Sequence, residues 1–251
     1  MRVLQQPAYV LLNRPYSETS WIVEVFSRDY GRLSLMAKGA RRLKSKVRGA
    51  LIPFQPLLVS WVGKGEIPTL TEAELDRSEF SFLNNEIRGD ALVCGFYCNE
   101  LLVKMLHRYD SHAALFKSYH KAIMSLSSAD KMPKTSVVLR SFEQSIIRES
   151  GYAIDFEKQA DNQQAIQAQR QYQFFAGRGF IAQISPNTKA ISGRVILALS
   201  DKPPSDLSSI ERSQARDLMR LILKNTMNKG DIVSRSLFYP RNSAQAITHN
   251  V

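Results

Sequence analysis

The chain has 251 residues, 44% of them apolar, and a formal net charge of +11, so it can bury a sizeable core in one large domain or in two to three small ones. A balance this basic points to a polyanion partner, nucleic acid before an acidic membrane surface. Two cysteines, Cys94 and Cys98, exclude a disulfide framework, and no stretch reaches the roughly 18 to 20 apolar residues of a membrane span. Met1 to Val10 carries one charge and no long apolar run, unlike a signal peptide, and the expectation is a soluble protein of a reducing cytoplasm.

The first third reads as β. Ala8 to Leu12 is strand-like and Asn13-Arg14-Pro15 is a turn signal. Trp21 to Phe26 is rich in β-branched and aromatic residues, Asp29-Tyr30-Gly31 reverses the chain, and Leu33 to Ala37 returns as a hairpin. Pro53 and Pro56 bracket the entry to a strand over Leu57 to Val62, Gly63-Lys64-Gly65 makes a second turn, and Ile67 to Leu75 returns. Five short strands in so few residues suit a small closed barrel, because closure removes exposed edges. An OB-type barrel fits first and an SH3-like barrel second.

Beyond Phe80 the apolar spacing becomes helical. Leu92, Val93, Phe96, Tyr97, Leu101 and Met105 mark one helix, and Leu115, Tyr119, Ile123 and Leu126 a second. After a polar break at Ser125 to Lys134, Val138, Leu139, Phe142, Ile146 and Ile147 mark a third, which Gly151 ends. Asp155 to Gln173 is polar, with five glutamines from Gln159 to Gln169, and reads as a loop or a weakly packed excursion. Tyr172 to Ile184 reads as a hairpin turning at Gly177 and Gly179, and a final helix covers Glu211 to Asn228 before Gly230.

Lys38, Arg41, Arg42, Lys44, Lys46 and Arg48 place six cations in eleven residues with no acid among them. Between two strands this is a mobile loop able to follow a phosphate backbone, and each phosphate it neutralises releases a condensed counterion. Charge is uneven beyond it: residues 1–60 hold ten Lys or Arg against three acids, and residues 66–90 seven acids against two Arg. Tyr9, Tyr16, Trp21, Tyr30 and Trp61 are aromatic platforms for bases; Trp21 and Trp61 read better as core, Tyr16 and Tyr30 as open. Lys104, Arg108, Lys117, Lys121, Arg140 and Arg148, and the row Arg212, Arg216, Arg220 and Lys224, add cations to the helices, where a solvated face is the plainer reading.

Nothing in the pattern points to catalysis. There is no GxxxxGK[ST] loop, no nucleophile motif and no carboxylate cluster for two-metal hydrolysis. Cys94 and Cys98 lie in an apolar helical run, and His107, His112 and His120 lack a compact ligand spacing, so neither a metal nor another cofactor is expected.

Several runs resemble the RecO family of DNA repair proteins. They are Ala8-Tyr9-Val10-Leu11, Arg14-Pro15-Tyr16-Ser17-Glu18-Thr19-Ser20, Gly31-Arg32-Leu33, Ala37-Lys38-Gly39-Ala40-Arg41, Gly49-Ala50-Leu51 with Pro53-Phe54, and Gly63-Lys64-Gly65-Glu66. Tyr97-Cys98-Asn99-Glu100-Leu101-Leu102, Leu139-Arg140-Ser141-Phe142-Glu143, Ser150-Gly151-Tyr152 and Ser234-Arg235-Ser236-Leu237-Phe238 extend the likeness almost to the end of the chain. The resemblance implies an α+β protein: a five-stranded OB-fold barrel over residues 1–80, then a mainly helical domain over 81–251 with a small C-terminal β-hairpin region. It implies binding of single- and double-stranded DNA, annealing of complementary strands, and work with RecR, and in some lineages RecF, that indirectly serves RecA on DNA coated by single-strand-binding protein. Arg14, Tyr16, Arg32 and the six cations of the loop are the expected DNA contacts. The acidic tail of the coating protein is expected on Arg140, with Lys117 and Lys121. Many family members carry a four-cysteine zinc site after the Gly-Tyr motif; here residues 152–172 hold no cysteine, so a cysteine-free remnant of that knuckle is expected at about 152–185 and no zinc. The competing readings are an RNA-binding OB module and a metal-dependent nuclease.

Overall fold

A computed structural model describes residues 1–80, 87–128, 134–151, 154–183, 190–200, 204, 206–227 and 232–234. Its contacts divide the chain into two compact units. The first holds the N-terminal strands, two helices and residues 232–234; the second holds the third long helix and the segment that follows.

In the first unit β1 (Arg2–Pro15), β2 (Trp21–Ser27), β3 (Gly31–Ala37), β4 (Leu57–Val62) and β5 (Thr69–Leu75) close a barrel in the order β1-β2-β3-β5-β4. The α+β expectation with an OB-type barrel holds. β1 is far longer than Ala8 to Leu12, because it pairs with β4 through its first half and with β2 through its second. Register shifts at Val3/Gln6 and Val10/Leu12 let one strand bend between two partners. Asn13, Arg14 and Pro15 therefore pair with Val23, Ile22 and Trp21, and the reversal falls one step later, over residues 16–20. A single parallel pairing, Met36 with Thr69, closes the barrel, supported by the Met36 amide donating to the Pro68 carbonyl at 2.8 Å.

Alternation sends Ala8, Val10, Val23, Val25, Leu33, Leu35, Val59 and Trp61 inward, all at most 2% exposed. Burying each large one contributes about 1.5–3 kcal/mol. The opposite face of β1 and β2 is also covered, so Tyr9, Leu11 and Phe26 are buried too. They meet α2 (Gly89–Met105) and α3 (Ala113–Ser127), with Tyr9 edge-on to Tyr119 at 5.1 Å and Phe26 5.5 Å from Phe116. α1 (Arg77–Phe80) is a single turn capped by Asp76.

The Asn-Glu pair of α2 holds the first unit together. The buried Asn99 amide donates to the Leu11 carbonyl of β1 at 2.9 Å and accepts from the Tyr119 hydroxyl of α3 at 2.6 Å. The neighbouring Glu100 carboxylate accepts the Val233 and Ser234 amides, each at 2.8 Å. The closing motif beyond Ser234 lies outside the described residues.

The second unit has its own core. Phe142, Ile146 and Ile147 of α4 (Lys134–Glu149) are buried, as are Met219, Ile222 and Leu223 of α6 (Ser209–Thr226). A capping box between Ser208 and Glu211 starts α6. The expected hairpin forms as β6 (Gln171–Phe175) and β7 (Gly179–Ala182). Two elements were not anticipated: β8 (Ile191–Ser192), which adds to the far edge of β6, and α5 (Gly193–Leu197). The polar stretch before β6 is not a loose loop. Glu157 and Ile166, and Gln159 and Gln164, bond backbone to backbone at 2.7 and 2.8 Å, and Asp155 caps the Glu157 and Lys158 amides. Gln159 is buried at its centre.

Candidate nucleic-acid interface

Three pieces of chain share one rim of the barrel. Pro15 at the end of β1 pairs with Trp21 at the start of β2, and Trp21 pairs with Ala37 at the end of β3. The 16–20 turn and the basic loop therefore leave the barrel side by side. The loop is a run of hydrogen-bonded turns rather than a free excursion: the Arg42 amide donates to Gly39, Ser45 to Arg42, and both Ala50 and Leu51 to Val47, at 3.1 to 3.2 Å. Gly39, at φ +70°, allows the first reversal. Ala40 and Leu51 are buried in the barrel core and Val47 and Ala50 pack on it. The loop is also pinned from the side, by the Arg41 amide to the Thr19 carbonyl at 3.0 Å, the Arg41 guanidinium to Ser17, and the Asn13 amide to the Leu51 carbonyl at 2.8 Å.

Anchoring the small apolar residues leaves the cations outside. Lys38, Arg41, Arg42, Lys44, Lys46 and Arg48 are all exposed, and Leu43 among them is 94% exposed. Tyr16 is exposed on the adjoining turn and Arg14 on the last turn-ward residues of β1. The structure thus brings together eight of the nine expected DNA contacts at one rim.

Arg32 stands apart from them. It lies at the opposite end of β3, its side chain only 14% exposed, and pairs with the buried Glu24 carboxylate at 2.9 Å. Glu24 also accepts from the Ser34 hydroxyl at 2.6 Å and from Arg108 at 3.2 Å. Burial pulls the Arg32 guanidinium below its ordinary pKa, Glu24 opposes this, and the positive fields of Arg108 and Arg14 add to the lowering. Arg108 was read from sequence as a helical surface cation. It is 84 residues from Glu24 in the chain, and no local signal could have joined them.

Lys117 and Lys121 are exposed one turn apart on α3, in the first unit. Arg140 belongs to the second unit; it is 23% exposed and pairs with the buried Glu143 at 2.5 Å. Of the α6 row, Arg216 and Arg220 both reach Asp217, which interrupts the stripe of positive charge. Cys94 and Cys98 are fully buried in α2. Among the described residues no group of three or more His, Cys, Asp or Glu side chains is placed to hold a metal ion, and no helix is long and apolar enough to cross a membrane.

A closed OB-type barrel with a rim of exposed cations, followed by helices and a small sheet, defines a protein of the oligonucleotide-binding-fold class. Residues 1–78 match the family model for the recombination protein O N terminal region, and residues 88–231 that for its C terminal region. The chain is 38% identical to the DNA repair protein RecO of Aromatoleum aromaticum over 93% of its length and 94% of that protein's. It is 40% identical to RecO of Nitrosospira multiformis, over 92% of this chain and 93% of that one, and 41% identical to RecO of Polynucleobacter necessarius, over 89% and 90%. The chain belongs to the RecO family, and its role lies in DNA repair and recombination.

Proposed function

We propose that this protein binds single- and double-stranded DNA through the barrel rim, anneals complementary strands, and with RecR (and RecF) helps load RecA onto DNA coated by single-strand-binding protein. It makes and breaks no covalent bond. The observation that carries this is the basic loop: six exposed cations on turns anchored by Ala40 and Leu51. Fixed cations at one rim neutralise the phosphates of two strands together, which lowers their repulsion and lets their bases meet. Tyr16, beside them, offers a face on which a base can stack. The protein works in the cytoplasm, at the nucleoid, where its substrate is.

The acidic tail of single-strand-binding protein docks on Arg140. Arg140→Ala weakens binding of a tail peptide and largely spares naked DNA; equal peptide affinity in variant and parent removes Arg140 from this role. The function is tested by following annealing of two labelled strands with fluorescence, bare and coated. The protein accelerates both. No acceleration of either refutes the annealing function.

A further inference from the structure

A cleft of about 360 Å³ opens beside the turn between β2 and β3, lined by Tyr30, Leu33, Trp61, Pro68, Tyr109 and the exposed Lys64. Its size is at the lower end of the roughly 300–1,000 Å³ of small-molecule pockets. Its lining is rich in ring faces. Tyr30 stands edge-on to the buried Trp61 with centroids 5.1 Å apart, and Tyr109 is 48% exposed.

Tyr109 is held in place against its own preference. Its φ is +61°, a left-handed conformation that a tyrosine rarely adopts. Such a residue persists only where its surroundings over-determine it, and these clamps cluster at ligand sites. Here the Tyr109 amide donates to the Arg32 carbonyl at 2.9 Å, and its hydroxyl to the Glu66 carbonyl at 2.6 Å. The turn beneath leaves no room for slippage: a Cβ on Gly31, itself at φ +64°, would lie 1.7 Å from the Asp110 carbonyl oxygen. The result is a half-exposed aromatic ring fixed over an apolar cleft.

We propose that this cleft takes one unpaired base of a bound DNA strand, stacked on Tyr109. The inference rests on the DNA-binding function proposed above. The distance to the basic loop, at the other end of β3, favours this occupant, because one strand can span it. Leu33 lies in the cleft, and four residues on, β3 ends at Ala37, where the cationic loop begins. At about 3.3 Å per residue that separation is ~13 Å, a few nucleotides of strand. Charge at the mouth is balanced, since Lys64 and Glu66 both border the cleft and Arg108, the neighbour of Tyr109, is paired with Glu24, so the rings and not the charges select the occupant. A base inside a duplex is stacked and paired, so the cleft serves single strands only. It gives the barrel a grip on bases that the loop, which meets phosphates, lacks.

The test compares the parent, Tyr109→Ala and Tyr109→Phe on a dT oligonucleotide, an abasic oligonucleotide of the same length, and a duplex, by fluorescence anisotropy across a salt series. Tyr109→Ala weakens dT binding by roughly 5- to 150-fold, the range of one lost base-stacking contact, with duplex affinity and salt slope unchanged. Tyr109→Phe stays near the parent. The parent binds the abasic strand more weakly than dT by at least that factor, because the base stacked on Tyr16 is lost as well. Equal affinity of the parent for abasic and dT strands overturns the proposal without any variant. Parallel loss of single-strand and duplex binding in Tyr109→Ala also overturns it, since the ring then serves the fold. Failure of the parent to bind any DNA overturns the DNA-binding function itself, and the cleft with it.

Discussion

Changing Arg41, Arg42, Lys44 and Lys46 to glutamine removes four of the six exposed cations from the loop while leaving its buried anchors, Ala40 and Leu51, in place. If each cation neutralises one duplex phosphate, the four together account for about 3.6 units of the slope of log affinity against log salt, and about 2.8 units on a single strand. With six cations engaged, raising salt from 50 to 200 mM lowers duplex affinity by roughly 2,000-fold; with two left, by roughly 12-fold. Stability should change little, because exposed substitutions of this kind stay within about 0.5 kcal/mol each. The Arg41 amide still reaches Thr19, although its guanidinium bond to Ser17 is lost. The assay is DNA anisotropy at several salt concentrations, with thermal unfolding in parallel. A slope within one unit of the parent's in a folded variant refutes the reasoning, because the loop then meets no phosphates.

Two further substitutions and one pH dependence probe the scaffold. Glu24→Gln leaves Arg32 largely buried beside no anion and should cost about 3 kcal/mol, the lower end for breaking a buried pair, read by chemical denaturation. Asn99→Ala removes the bond to the buried Leu11 carbonyl and the bond from the Tyr119 hydroxyl; at about 1–3 kcal/mol for the Leu11 carbonyl left unsatisfied, it should cost at least ~1–3 kcal/mol in the same measurement. A hydrogen bond from Arg194 holds the Asp206 carboxyl below its ordinary range; Glu211 is held there by the Ser208 amide and hydroxyl, and then by Arg194. Both groups are lowered on folding, so the stability they contribute is present above the ordinary carboxylate range and lost as pH falls through the lowered values. Arg194→Met should therefore lower Tm near neutral pH, with the difference shrinking in acid; a difference that grows in acid contradicts the assignment.

Much of the barrel was readable from local pattern. Leu57 to Val62 forms the strand that Pro56 and Gly63 bracket, and the ends of the β2–β3 hairpin fall within two residues of the expected ones. The misplaced turn at Asn13-Arg14-Pro15 has a physical cause. A strand that bends between two partners through irregular register breaks its own alternation at Gln5, Gln6 and Pro7, so its length is hidden. β8 is two residues long and has no period to read. The polar stretch around Gln159 closes through backbone amides and an Asp cap, which leave no apolar signature. At the candidate rim the exposed cations and Tyr16 were legible by charge and by nearness to turns. Their anchoring was not, because it depends on Ala40 reaching a core formed by distant strands. The ion pairs of Glu24 and the clamp on Tyr109 join residues far apart in the chain, and local reading could not connect them.

Glu24 also bears on what its two arginines can offer an outside anion. At the end of β3 away from the rim, one buried carboxylate answers two guanidinium groups, those of Arg32 and Arg108. A phosphate approaching Arg32 or Arg108 must compete with an anion that never leaves. An internal competitor beneath the arginines sets an upper limit on how tightly any outside anion can be held there.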